Sequence, residues 1–253
     1  MAFPSRIVCL TEESVETLFL LGEGHRIVGV SSYVVRPKEA LELPKVSMFT
    51  SSSYEKIEAL KPDLILGFSD IQSDIARDLI KKGFNVFISN HRSLEETLNY
   101  ILLLSSMVGA SDKGQGLVQS LSKKLKDSKG IIKKPLKVYF EEWDEPMISA
   151  IRWVSDLITH VGGVDIFRDQ SKGSLANERF VTSDDVIRAN PDIIFGCWCG
   201  KKVKIDLIKN RPGWENINAV KNNRVFELDP GIFLQPGPAP IVSGIDLLLD
   251  YLC

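Results

Sequence analysis

Four carboxylates, Glu141, Glu142, Asp144 and Glu145, flank Trp143 in one unbroken run. Residues of this type can serve as general acid and base. Beside an aromatic face they also suit an amine-bearing heterocycle. Charges so close repel one another unless a cation, a hydrogen-bond donor or a proton lies nearby. A solvated acidic loop is the plain alternative. Cys197 and Cys199 flank Trp198, and alternation along a strand would put both thiols on one face. A structural zinc site needs four ligands, and no Cys or His pair nearby completes one, so buried thiols are the favoured reading. His25 follows a Gly-Glu-Gly turn, and His160 precedes Val-Gly-Gly at a helix end, where a basic residue suits the carbonyl dipole. Neither has a recognisable Ser or Cys partner. The chain has no Gly-x-Ser-x-Gly elbow, phosphate-binding loop or Gly-x-Gly-x-x-Gly fingerprint. No catalytic residue, metal ligand or cofactor is therefore assigned.

The elements that must position these residues are written twice. Residues 53–67 line up with residues 182–196: a polar cap, a short amphipathic helix, a Pro-Asp break, an apolar strand and a glycine. Proline ends the helix because it disfavours the α region for the residue before it. Residues 64–66 and 193–195 then read as parallel strands buried on both faces, central in separate sheets. A looser pair, residues 6–12 and 137–142, reads as a strand entering an acidic loop, followed by a helix that ends near Gly22 and Gly24 in one copy and Gly162 and Gly163 in the other. Between the copies a capping box at Ser93 opens a long helical stretch that Gly109 interrupts. The expected fold is α/β: two Rossmann-like lobes with mainly parallel sheets, at residues 1–92 and 135–253, joined by a helical connector at 93–134.

In open parallel sheets a ligand sits outside the carboxyl ends of the strands. That rule selects Thr11 and Glu12, Phe49 and Thr50, Phe68, Ser69 and Asp70 in the first lobe. In the second it selects Glu142, Trp143, Trp198, Phe233 and Gln235. Aromatic area with a few orienting polar groups is the usual makeup of a small-molecule cleft. Trp143 and Trp198 are expected as ligand platforms, Trp153 and Trp214 as packing anchors.

With 31 basic and 33 acidic side chains the formal net charge is −2, which gives no electrostatic reason to expect nucleic acid or an anionic membrane as partner. No apolar run reaches the roughly 20 residues of a membrane span. Glu12, Glu13 and Glu16 would interrupt the apolar region of any export signal, and the four cysteines form no disulfide framework. The sequence as written therefore predicts a cytoplasmic monomer, or a periplasmic one if a signal has been removed.

Residues 7–22, a strand, a loop and a helix ending in Leu-Leu-Gly, followed by Ile27-Val28-Gly29-Val30, resemble the opening of the helical-backbone solute-binding proteins. These serve ABC importers of vitamin B12 and of iron–siderophore or haem complexes. The stretch 57–67, Ile-x-Ala-Leu-Lys-Pro-Asp-Leu-Ile, is that family's most recognisable segment, and residues 161–167, 211–214 and 219–225 continue the likeness. The resemblance implies one small ligand, a corrinoid such as cobalamin or a metal chelate, held in an interlobe cleft with modest closure. It places cleft aromatics at Phe49, Phe68, Trp143 and Phe233, and a permease-docking acid at Asp74. The acidic run and the paired cysteines have no counterpart among expected corrinoid contacts. A cytosolic receptor for a smaller amine-bearing heterocycle, and an enzyme using the carboxylates from Glu141 to Asp144, are the other two readings.

Overall fold

Short runs of aliphatic and β-branched residues become strands wherever both faces can be covered. In a computed structural model that describes residues 3–253, five such runs form the first sheet: Ile7–Cys9 (β1), Ile27–Ser31 (β2), Lys45–Ser47 (β3), Leu64–Phe68 (β4) and Val86–Ser89 (β5). All pairings are parallel, in the order β3-β2-β1-β4-β5. The side-chain period of two divides β1 between two cores. Ile7 and Cys9 join Val15 and Leu18 of the helix Glu12–Leu20 and Tyr100 and Leu104 of the helix Leu94–Met107. Val8 and Leu10 face the other way, onto Ile57, Ile75 and Leu79.

The second sheet contains Lys137–Asp144 (β6), Met147–Ser149 (β7), Val164–Asp165 (β8), Ile193–Gly196 (β9) and Val225–Glu227 (β10), in the order β10-β9-β6-β7 with β8 also paired to β6. Only the β6–β7 pairing is antiparallel. Tyr139 and Ile194 face a core built around Trp214 and Phe167. Phe140 and Phe195 are also buried, and they contact Phe233 and Tyr251. Residues 64–66 and 193–195 are thus buried interior strands of separate sheets, as the repeat predicts.

The Pro-Asp element does the same work in both copies. Asp63 accepts from the backbone N–H of Arg6 at 3.0 Å while its own N–H donates to the Arg6 carbonyl at 2.9 Å. Asp192 repeats this with Lys137 at 2.9 and 2.8 Å. Each aspartate pins the start of the first strand of its sheet, and Lys61 and Asn190, both at φ 47°, close the preceding helices in the left-handed conformation.

Two differences from the sequence reading matter for the site. The acidic run is not a loop: β6 continues through Asp144 and returns along β7 as a hairpin. The helices Leu94–Met107 and Ser111–Ser128, with Gly109 at φ 74° between them, do not stand apart as a connector at 93–134. The first compact unit extends up to His91 and adds Glu95–Lys123 and Pro236–Pro238, whereas Lys124–Gln235, Ala239–Cys253 and Arg92–Leu94 form the second.

Candidate functional site

In the first unit the strand-end loops are tied together by one side chain. Gln72 is fully buried; its Oε1 accepts from the Phe68 N–H at 2.9 Å, and its Nε2 donates to the carbonyls of Phe49 at 2.9 Å and Leu10 at 3.4 Å. The ends of β1, β3 and β4 therefore share one carboxamide. Gly67 makes room for it, since a Cβ there would come within 2.7 Å of Gln72 Oε1. Ser69 adopts φ 60° and ψ 175°, a region glycine tolerates and serine does not, and strain of this kind gathers at ligand-facing turns. Its N–H donates to the Ser89 carbonyl at 2.8 Å. Phe68 is buried edge-on against His91 at 5.2 Å, so it is a packing residue and not an open platform. Phe49 is half-buried, and Thr50 and Asp70 are exposed.

Thr11 is buried, and its hydroxyl donates to Glu13 Oε1 at 2.6 Å, while half-buried Glu12 follows it. Glu13 Oε2 has no hydrogen-bond partner among the described residues. Gly237 seals it, because a Cβ at that position would lie 2.8 Å from Glu13 Cβ. Burial, opposed by the Thr11 hydroxyl, pushes the Glu13 carboxyl up to about 8. The folded state thus holds this proton where the unfolded chain, near 4.5, has lost it. The associated stability is complete below that lower value and lost as pH rises through about 8. Glu13→Gln should remove the dependence. Between pH 5 and 9 the wild type should lose on the order of 4 kcal/mol relative to the variant in urea unfolding. Parallel pH profiles for the two proteins would refute the assignment.

In the second unit three of the four carboxylates around Trp143 are each paired with a cation. Glu141 is fully buried and receives four hydrogen bonds. Arg211 donates through Nη1 to Oε2 and through Nη2 to Oε1 at 3.0 Å; Tyr139 Oη and Trp198 Nε1 donate at 3.1 and 3.2 Å. Burial acts to raise the Glu141 carboxyl, and the Arg211 guanidinium, Tyr139 and Trp198 act against it. Arg179, itself buried, holds Glu142 through both terminal nitrogens at 2.5 and 3.1 Å and also donates to the Ser149 carbonyl at 2.8 Å. Lys201 pairs with Asp144 at 2.5 Å and lies 4.0 Å from the Trp143 ring centroid and 4.8 Å from that of Trp198. The repulsion noted in the sequence is thus relieved by cations distant in the chain.

Two of the expected cleft aromatics are buried. Trp198 is 1% exposed and belongs to the core of its unit, where its indole N–H is committed to Glu141. Phe233 is fully buried, tilted against Phe140, with its carbonyl accepting from Trp153 Nε1 at 2.8 Å. Trp143 remains half-buried on the hairpin, with its Nε1 donating to the Glu145 carbonyl at 3.0 Å. Gln235 is 3% exposed, and neither end of its carboxamide has a hydrogen-bond partner among the described residues. A buried amide without partners is costly to maintain unless something else meets it. Cys197 is buried and burial raises its thiol; Cys199 is exposed. Among the described residues no group of three or more His, Cys, Asp or Glu could hold a metal ion, and no helix is long and apolar enough to cross a membrane.

A model of the periplasmic binding protein family matches residues 7–231. The chain belongs to that family. Among the relatives of this periplasmic binding protein, an ABC transporter substrate-binding lipoprotein of Bacillus subtilis is 28% identical, covering 98% of this chain and 79% of its own. A vitamin B12-binding protein of Vibrio cholerae is 27% identical over 99% of this chain and 90% of its own. The periplasmic haem-binding protein of Roseiflexus sp. RS-1 superimposes with a TM-score of 0.85 at 24% identity, covering 98% of both chains, and so attests the fold. The first of these is named as a substrate-binding protein of an ABC transporter, the other two for binding vitamin B12 and haem. The chain is likewise a solute-binding protein of the ABC-transporter type and not an enzyme, which removes the acid–base reading of the carboxylates.

Gln72, Arg179, Lys201 and Arg211, which organise the two sets of loops, were not singled out by the sequence. The one available signal was the acidic run itself, whose charge called for partners.

Proposed function

We propose that this binding protein takes a corrinoid or a metal chelate and delivers it to an ABC permease. The observation that carries the reading is that Phe49, after β3, and Trp143, near the end of β6, stay half-exposed while Gln235 holds a buried, unmet carboxamide. The vitamin B12-binding relative in V. cholerae supports the corrinoid class. Thr11, Glu12, Thr50, Ser69, Asp70 and Glu142 complete the proposed contact set. Phe68, Trp198 and Phe233 are buried and are left out of that set. Asp74, 81% exposed at its side chain and paired with Arg77 at 2.6 Å, is the proposed docking acid for the permease. The lipoprotein relative favours action outside the cytoplasmic membrane over the cytosol, and fractionation of untagged protein separates the two.

One contact favours a second reading. Lys201 already places an ammonium over the Trp143 face, so that face accepts a cation, as an amine-bearing heterocycle would require. Absorbance-corrected fluorescence titration with cobalamin, cobinamide, haem, a ferric siderophore and a cationic heterocycle distinguishes them. Cobalamin or one of the other chelates should bind well below about 100 μM. Trp143→Ala should weaken it by on the order of 1–3 kcal/mol. Failure of every chelate to bind below about 100 μM would discard the first reading.

A further inference from the structure

At the β3 edge of the first sheet lies a cavity of about 310 Å³ whose lining includes Lys45, Lys56, Ser32, Ser47, Ser51 and Ser52. No aspartate or glutamate lines it. Neither lysine has an ion-pair partner among the described residues. Lys45 Nζ donates only to the Ala40 carbonyl at 3.3 Å. Its burial pushes its ammonium downward in pKa, and Glu42 opposes this through space without contact. Glu55, the other nearby acid, receives the Ser53 hydroxyl at 3.4 Å and also stays out of the lining. Ser52 Oγ is shielded from solvent and has no hydrogen-bond partner among the described residues.

A cavity with two uncompensated ammonium groups, a ring of hydroxyl donors and no carboxylate is built for an anion. Lysine acts as a point charge on phosphate, and serine hydroxyls turn to donate wherever an acceptor oxygen arrives. We propose that this cavity is an oxyanion site for small phosphate compounds, with Lys45 and Lys56 supplying charge and Ser51 and Ser52 supplying hydroxyl donors, while the Ser47 hydroxyl donates to the Leu10 carbonyl at 3.4 Å. Its lining includes Met48 and Ser51 but neither Phe49 nor Thr50 of the contact set proposed above.

Isothermal titration of the full chain with inorganic phosphate, pyrophosphate and glycerol 3-phosphate tests the assignment, with acetate as the control. Saturable one-to-one binding tighter than about 1 mM is expected for at least one phosphate compound, weakening as salt is raised. Lys56→Ala, at an exposed position that leaves folding intact, should weaken it at least about tenfold, and so should Lys45→Met. Lys56→Arg should retain most of the affinity. Absence of binding up to about 10 mM, or unchanged affinity in Lys56→Ala, would overturn the proposal. Equal binding of acetate would overturn it as well.

Discussion

Arg211→Met is expected to cost about 3–5 kcal/mol of folding stability, because it leaves a buried carboxylate without its cation. Glu141 has no solvent exposure, and Arg211 is 12% exposed at its side chain, so water cannot take the place of the guanidinium. The loss includes a stacking contact, since the guanidinium carbon lies 4.6 Å from the Trp214 ring centroid. With Arg211 gone, only Tyr139 and Trp198 oppose the upward push of burial on the Glu141 carboxyl. The folded variant then binds a proton more tightly than the unfolded chain. Its stability is therefore full below the ordinary glutamate range, near 4.3, and falls as pH rises above it. The double variant Glu141→Gln with Arg211→Met removes both charges and should recover a substantial part of the loss. Urea unfolding at pH 5 and 8 checks all of this. A single-variant cost below about 1 kcal/mol, or a double variant no better than the single, would show that the pair is solvated.

The two sheets were legible because their signal is local. A buried parallel strand needs an apolar run and a stop, and Leu64–Phe68 and Ile193–Gly196 supply both, each behind a Pro-Asp break whose carboxylate pins the neighbouring strand. Trp143 and Trp198 show where such reasoning ends. Trp143 lies near the end of β6 and Trp198 just past β9, one among carboxylates and the other between cysteines, and neither setting says which ring is buried. What separates them is Glu141, fixed by Arg211 from seventy residues away, which draws the Trp198 indole N–H inward. The same holds for Gln72, whose value lies in reaching the ends of three strands at once. The sequence assigned the connector to neither lobe because amphipathic spacing shows that a helix is half-buried but not against what.

Trp214→Ala is expected to cost about 3–5 kcal/mol while leaving ligand contacts intact. The indole is fully buried and its Nε1 donates to Ser183 Oγ at 2.7 Å, so truncation opens a cavity and orphans a hydroxyl at the start of the helix Ser183–Ala189. Its ring also meets Tyr139 edge-on at 6.1 Å, and Tyr139 in turn donates to Glu141. The tryptophan therefore backs the charge network from below. The turn that delivers it depends on Gly213 at φ 83°, a conformation that would strain any other residue type. Trp143→Ala should behave in the opposite way, costing less than about 1 kcal/mol because the ring is half-buried and its partner Lys201 can return to water. Thermal and urea unfolding of the two variants compare them directly. Trp214 and Arg211 touch, so Trp214→Ala combined with Arg211→Met should cost less than the two separately, by on the order of 1 kcal/mol or more. Full additivity would mean that the aromatic core and the ion pair stand independently, and the role of Trp214 as the floor of that network would fall.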